Sequence, residues 1–465
     1  MKGYFLMPHP PLIIPEVGKG QEILIQRTLD SCNAIGKEID SAGIDTIIII
    51  TPHGTVFSDA VALMEVDNLT GDFGNFGAKK VTFDIKVNLQ LTHEIINESE
   101  KAGIAAVALN TENARAYKVP LTLDHGAAVP LYFIKKLQDY KIVHITYGML
   151  SPIELYAFGM AVEKACVKSG AQAAVIASGD LSHRLTKDGP YLYSPHGAEF
   201  DARLMELLEQ GDLTGLFSLD KTMVSEAGEC GLRSLYILAG TLDGKTAKAE
   251  ILSYEGPFGV GYGVARFNVS EGQSIYDSIK NLGKVSHAKR LIEGPSYTRL
   301  ARRNLENYFK TGKALTVKDI GDKELLDDRK GVFVSLKLSG ELRGCIGTIE
   351  AVTDSIGEEI LNNSLSAALN DQRFSPLRED ELYQLDISVD LLYPAEKCCF
   401  EELDPHNYGV IVTSGRKRGL LLPMLEGIDS SEEQVSIALQ KAGIRKNEPY
   451  EIERFKVERF KEVKE

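Results

Sequence analysis

The chain has 465 residues, 43% hydrophobic and 25% charged, with 52 Lys and Arg against 66 Asp and Glu for a formal net charge of −14. That length exceeds one core and predicts about two to three domains of roughly 100–200 residues. Neither half carries the basic excess of a phosphate-backbone binder, so no nucleic-acid partner is expected.

No apolar run approaches the roughly 18 residues of a membrane span, and Met1–Pro15 lacks a basic segment followed by a long apolar one, so a cytoplasmic protein with no membrane partner is expected. The six cysteines (Cys32, Cys166, Cys230, Cys345, Cys398, Cys399) show no CxxC spacing and read as reduced thiols.

Strands are predicted at Tyr4–Met7, Thr46–Thr51, Ile142–Tyr147 and Ala173–Ala177. Helices are predicted at Gln21–Ala42, Leu89–Ala102, Ala127–Leu137, Ile153–Ser169 and Gly197–Glu209. This alternation implies an α/β layer fold with a largely parallel central sheet. The segment GPFGVGYGVARF (Gly256–Phe267) has GxGxG spacing, but no helix follows closely enough for a phosphate cradle, so it reads as a glycine-rich strand or turn closing the first domain.

The polar stretch SEGQSIYDSIKNLGK (Ser270–Lys284) reads as a linker running into a helix, which sets a first domain at 1–268, a linker at 269–284 and a second domain at 285–465. The second opens with the helical pattern SHAKRLIEGPSYTRLARRNLENYF, followed by paired strands GVFVSLKL and LRGCIGTI around the turn SGE. A helix (Ile356–Leu369), strands near Leu385–Leu392 and Gly409–Thr413 and a closing helix (Glu432–Lys441) complete a smaller α+β unit.

Three of the nine histidines stand just past a predicted strand: His9 in GYFLMPHPP, His53 in DTIIIITPHG and His183 in AAVIASGDLSH. The carboxyl edge of an open α/β sheet is where ligands bind, because the loops leaving parallel strands converge there. Prolines beside His9 and His53, and Ser-Gly-Asp before His183, suit rigid loops that hold an imidazole in place. His125 (LTLDHGAAVPL) and His196 (HGAEFDARLMELL) stand at helix starts, whereas His93, His144, His287 and His406 have no matching feature and read as structural.

Two neutral imidazoles and one carboxylate form the facial arrangement of non-heme Fe(II) sites, and zinc uses two histidines and a glutamate in the same way. SEAGECGLRSLYIL offers Glu226 and Glu229 directly before a helix, with Glu229 preferred as the ligand.

In these motifs, PHPP, TPHG, DHGAAVPL, SGDLSH and GECG in order, residues 1–268 resemble the class III extradiol ring-cleavage dioxygenase superfamily, of which the Memo proteins are a divergent branch. The resemblance implies His9, His53 and Glu229 as metal ligands, His183 as the acid/base histidine and His125 as a second catalytic group facing the substrate. Memo-like proteins carry a cysteine where the dioxygenases have the carboxylate, which leaves Glu229, Glu226 or Cys230 as the third ligand. Residues 285–465 resemble the AMMECR domain family through LRGCIGTI and AALNDQRFSPL, a domain that occurs in bacteria and archaea with a Memo-like protein and a radical SAM protein, so a radical SAM partner is implied. Within those motifs Arg343, Cys345, Asp371 and Arg373 are the polar or reactive groups, and Gly344 and Gly347 would permit a close approach; a buried strand with a small apolar cysteine accounts for them.

Three functions are consistent with this reading. The first is an Fe(II)-dependent dioxygenase-type oxidoreductase acting on a small, dihydroxy-aromatic substrate, with His183 moving the proton. The second is metal-assisted hydrolysis on Zn or another divalent ion. The third is a metal-binding or partner-docking protein without turnover.

Overall fold

The computed structural model describes residues 1–338, 341–425, 427–445 and 447–462. They divide into two compact units, Met1–Leu282 and Gly283–Glu465. The first is α/β around a largely parallel sheet and the second is α+β around an antiparallel sheet, the two fold classes expected.

The first unit contains strands β1 (Gly3–Met7), β2 (Thr46–Thr51), β3 (Val61–Met64), β4 (Asn68–Phe73), β5 (Ala78–Lys86), β6 (Ala106–Leu109), β7 (Lys141–Thr146), β8 (Ala173–Ser178), β9 (Lys245–Glu255) and β10 (Tyr262–Glu271). Eight of them form one sheet in the order β6-β3-β7-β2-β8-β1-β10-β9, while β4 and β5 pair as a separate hairpin. The central four, β7, β2, β8 and β1, are mutually parallel, and β10 and β9 add antiparallel at one edge.

Parallel strands covered on both faces read as unbroken apolar runs because neither face meets water. In β2 the alternating residues Ile48 and Ile50 enter one core and Ile47 and Ile49 the other. All four are fully buried, and each contributes about 1.5–3 kcal/mol relative to exposure. Helices Pro152–Ser169 and Leu232–Thr241 cover the first face, and helices Gln26–Ser41 and His125–Tyr132 the second.

The stretch 269–284, expected as a linker, contains the end of β10 and the first half of a helix, Tyr276–Glu293, with the unit boundary inside that helix. Its polarity reflects the exposed end of β10, which runs past its pairing with β1, and an exposed helix face. Gly256–Phe267 is the turn into β10 followed by the strand itself.

The second unit holds β11 (Gly331–Leu338), β12 (Glu341–Gly347), β13 (Leu385–Leu392), β14 (Glu396–Lys397), β15 (Tyr408–Ser414), β16 (Lys417–Leu421) and β17 (Glu451–Lys461), ordered β12-β11-β13-β17-β15-β16 with β14 against β17. In the SGE turn between β11 and β12, Ser339 and Gly340 lie outside the described residues. Helices Ser296–Thr311 and Ile356–Leu369 pack on this sheet. Among the described residues no helix is long and apolar enough to cross a membrane.

Candidate metal centre

Because β2, β8 and β1 are adjacent and parallel, with Met7 beside Ser178 and Ile50 beside Ala177, their carboxyl ends finish along one sheet edge. His9, His53 and Asp180 each lie two residues past one of these ends. Pro8 and Pro10 have no N–H, and the N–H of His9 between them donates to Asp180 Oδ1 at 2.8 Å. The Ser178 hydroxyl donates to the Gly126 carbonyl, so at His9 Nδ1, 3.0 Å away, it must accept. His9 therefore carries its proton on Nδ1 and presents an unprotonated Nε2, the orientation that a hydrogen-bonded ring gives a metal ion.

That Nε2 is 3.0 Å from His53 Nε2, with the two rings nearly perpendicular at 88°. Tetrahedral coordination with bonds of about 2.0–2.1 Å sets a nitrogen separation of about 3.3–3.4 Å, so a small outward movement of either ring would seat an ion. His53 is held through Thr51, whose Oγ1 accepts the His53 N–H at 3.2 Å and donates to Asp124 Oδ1 at 2.6 Å.

Asp124 is the organiser of this side. It accepts the Ala127 N–H at 3.1 Å, capping the helix that His125 begins, and its Oδ2 lies 2.7 Å from His144 Nε2. Burial opposes its charge, yet the bonds from His144, Thr51 and Ala127 hold its carboxyl well below the usual range. His144, set aside in the sequence as structural, is thus a buried partner of the site, which a lone histidine inside a strand does not reveal. A Cβ on Gly126 would stand 2.5 Å from Thr51 Oγ1 and 3.2 Å from His53 Cδ2, so only glycine fits there.

Among the described residues, one ligand atom each from His9, His53 and His125 lie within 4.8 Å of one another. The His125 and His53 rings, however, are stacked at 4.2 Å and 25°. A ring nitrogen's lone pair lies in the ring plane, and two nearly parallel planes do not converge on one nearby ion. His125, with Phe76 edge-on at 5.4 Å, is therefore not oriented to ligate the same ion as His53.

The third candidate ligand sits in the loop after helix Lys221–Ala227. Gly179 and Gly231 press backbone to backbone: a Cβ on Gly179 would lie 2.1 Å from Gly231 Cα. This contact brings the Cys230 thiol to 3.6 Å from His9 Nε2, with the Asp180 N–H donating to Sγ at 3.3 Å. Glu229 is not brought into the histidine group. Its carboxylate accepts the Leu232 N–H at 2.6 Å and caps helix Leu232–Thr241, because consecutive loop residues project in different directions. Burial pushes the Glu229 carboxyl up to about 7. Glu226 pairs with Arg184 at 3.3 Å.

His183 leaves the end of β8 with its N–H donating to the Ala227 carbonyl at 3.0 Å. The loop before it is fixed by Asp201, whose Oδ1 accepts the Ser182 N–H at 2.8 Å. His183 Nε2 is buried with no hydrogen-bond partner among the described residues. Burial lowers the pKa of all four imidazoles, to about 4 for His53 and His183 and well below the ordinary value for His9. All are therefore neutral near pH 7, with lone pairs available to a cation or a proton. His196 pairs with Glu199 at the start of its helix, 3.0 Å apart, and lies outside this group.

In the second unit the two motifs meet. Arg343 of β12 binds Glu381 at 2.8 Å and the Ser375 carbonyl at 2.7 Å, while the Cys345 N–H donates to Asp371 Oδ2 at 2.9 Å and Arg373 pairs with the same carboxylate at 2.7 Å. A Cβ on Gly344 would lie 2.1 Å from the Ala367 carbonyl oxygen, so this glycine lets helix Ile356–Leu369 sit on the strand. These contacts clip a strand to the segment after a helix. Arg302 is fully buried, its guanidinium paired with Glu462 at 2.5 Å and donating to the Leu382 and Leu385 carbonyls.

An α/β sheet with converging histidines at its carboxyl edge, followed by an antiparallel α+β unit, has counterparts among known families. Residues 3–265 match the catalytic LigB subunit of aromatic ring-opening dioxygenase, and residues 298–464 match AMMECR1. The chain belongs to the LigB family, with an AMMECR1 domain fused behind the LigB domain. Protein CA_C1420 of Clostridium acetobutylicum is 49% identical over 465 residues, covering 99% of each chain. A Thermotoga maritima protein is 46% identical over 168 residues, covering 36% of this chain and 97% of its own. The solved structure of an uncharacterized protein, PH0010 from Pyrococcus horikoshii, is 31% identical with a TM-score of 0.34, covering 37% of this chain and 92% of that one.

Proposed function

We propose that the LigB domain is an Fe(II)-dependent oxygenase that opens the ring of a small dihydroxy-aromatic compound, with the ion held by His9, His53 and Cys230. The observation that carries this reading is the meeting of two neutral imidazole nitrogens at 3.0 Å, with a thiol 3.6 Å from one of them, at the edge of a parallel sheet. When bound, the ion supplies charge neutralisation and open positions for substrate and dioxygen.

The protein's own groups divide the remaining work. His183 Nε2, buried and neutral, accepts the proton of a substrate hydroxyl and returns it as the ring opens. His125 offers a hydrogen bond to a substrate oxygen from the side of His53. Ser178 holds the His9 ring, and Asp124 holds the His53 backbone through Thr51, so that little reorganisation is needed. Glu229 serves the helix end.

Protein purified without oxygen is expected to contain one iron per chain and to consume dioxygen when given catechol. Absence of both iron and oxygen uptake overturns the proposal. Two imidazoles and a thiolate are equally a zinc donor set, and Cys230 favours zinc-assisted hydrolysis as the second reading, with His183 accepting a proton from water. Zinc at one per chain without oxygen uptake selects it.

A further inference from the structure

The loop 184–194 leaves the site directly after His183 and returns at the helix Pro195–Gln210. Its base is pinned: the Ser194 N–H donates to the Arg184 carbonyl at 3.1 Å and the Leu185 N–H to the Gly259 carbonyl at 3.0 Å. Its tip carries Tyr191, Leu192 and Tyr193, exposed at 52%, 86% and 46%. None of the three joins either hydrophobic core of the unit. Three consecutive large apolar side chains facing water are unfavourable unless something covers them. The Tyr191 ring stacks on the His183 imidazole at 5.1 Å and 25°.

The geometry points to Tyr191 as a specificity-determining residue whose ring covers His183 and forms an aromatic wall for the planar ring of a dihydroxy-aromatic substrate. This rests on the oxygenase reading above. A substrate hydroxyl that gives its proton to His183 Nε2 lies about 3 Å from that atom. The ring bearing the hydroxyl then lies off the imidazole edge, flanking the face on which Tyr191 stacks. Offset or edge-on packing of two rings favours flat, aromatic diols over puckered ones of equal size. The buried, unpartnered Nε2 beside Tyr191 is the polar end of this subsite, and Tyr191 with its exposed neighbours is the apolar end.

The test uses the full chain loaded anaerobically with Fe(II) and catechol as the probe, with binding followed by calorimetry. Tyr191→Leu keeps apolar area but removes the ring and is expected to weaken catechol about tenfold, whereas Tyr191→Phe should bind within about twofold of the unaltered protein. The chain contains no tryptophan, so Tyr191→Trp places a single indole at the wall, and its emission is expected to change on adding catechol. Iron content and melting temperature should be unchanged in all three variants, because Tyr191 lies outside both cores. Equal catechol affinity in Tyr191→Leu, or an indole emission indifferent to bound catechol, overturns the role of Tyr191 while leaving the oxygenase reading intact. No catechol binding by the unaltered, iron-loaded protein overturns that reading, and the wall with it.

Discussion

The Cys230 thiol stands 3.6 Å from His9 Nε2, while the carboxylate of the preceding residue, Glu229, is turned onto the Leu232 N–H. Two neighbouring residues, both able to ligate a metal, thus face different partners. Replacing Cys230, His9 or His53 by Ala is expected to reduce metal affinity by at least about 100-fold, beyond the range seen for residues that only support ligands. Glu229→Gln should keep stoichiometric metal, and Glu229→Ala should keep it while losing about 1 kcal/mol of stability from the uncapped helix. Elemental analysis of the five variants checks this; loss of metal in Glu229→Gln with retention in Cys230→Ala would reverse the assignment.

His183 is expected to act on protons and not on the ion. His183→Ala should retain metal near the unaltered level while turnover of any substrate found falls by roughly 100-fold or more. Metal content and rate measured on one preparation decide it: metal lost with the imidazole makes it a ligand, and an unchanged rate removes it from the reaction.

Asp201 gives a pH signature. Burial pushes its carboxyl up to about 6, against a usual value of about 3.9. The folded chain then holds the proton more tightly than the unfolded chain does. This stabilising contribution is complete below about pH 4 and is lost as pH rises through about 6, amounting to about 2–3 kcal/mol. Asp201→Asn keeps an acceptor for the Ser182 N–H and cannot ionise. Relative to the unaltered chain it should gain stability between pH 4.5 and 7, measured as the denaturant midpoint of the first unit; parallel pH profiles of the two proteins would refute this.

In the second unit, Glu462→Ala leaves the Arg302 guanidinium buried without its carboxylate and is expected to cost about 3–5 kcal/mol. The double variant Arg302→Met/Glu462→Leu, which removes both charges, should be less destabilised than the single one. Chemical denaturation of these variants and of the singles Arg302→Met and Glu462→Leu tests this, and a double variant as unstable as the sum of those two singles would show that the pair is not coupled.

The sequence made some of this legible. β1, β2, β7 and β8 stood out because strands buried on both faces are written as unbroken apolar runs, and the turns after three of them put His9, His53 and His183 at one edge. β9 escaped notice because an edge strand such as KTAKAEILSYE mixes exposed lysines and glutamates with its buried alanines. The helix start at His125, two residues earlier than the apolar pattern suggests, is set by the Asp124 cap. What could not be read was direction within GECG. The backbone contact of Gly179 with Gly231 and the hydrogen bonds between Cys230 and Asp180 turn Cys230 toward His9, and they join residues far apart in the chain.

The position of β1 has a consequence for how the chain is made. It lies between β8 and β10, so β1 leaves the ribosome before both its partners, which lie beyond residue 170. Until they emerge, the apolar GYFLM segment has no ladder to join, and pairing across such sequence distance is slow. Unpaired apolar strands are prone to associate with other chains. Nascent chains halted before β8 should therefore expose this segment to chaperones, and His9 can meet Cys230 only after nearly all of the LigB domain has been synthesised.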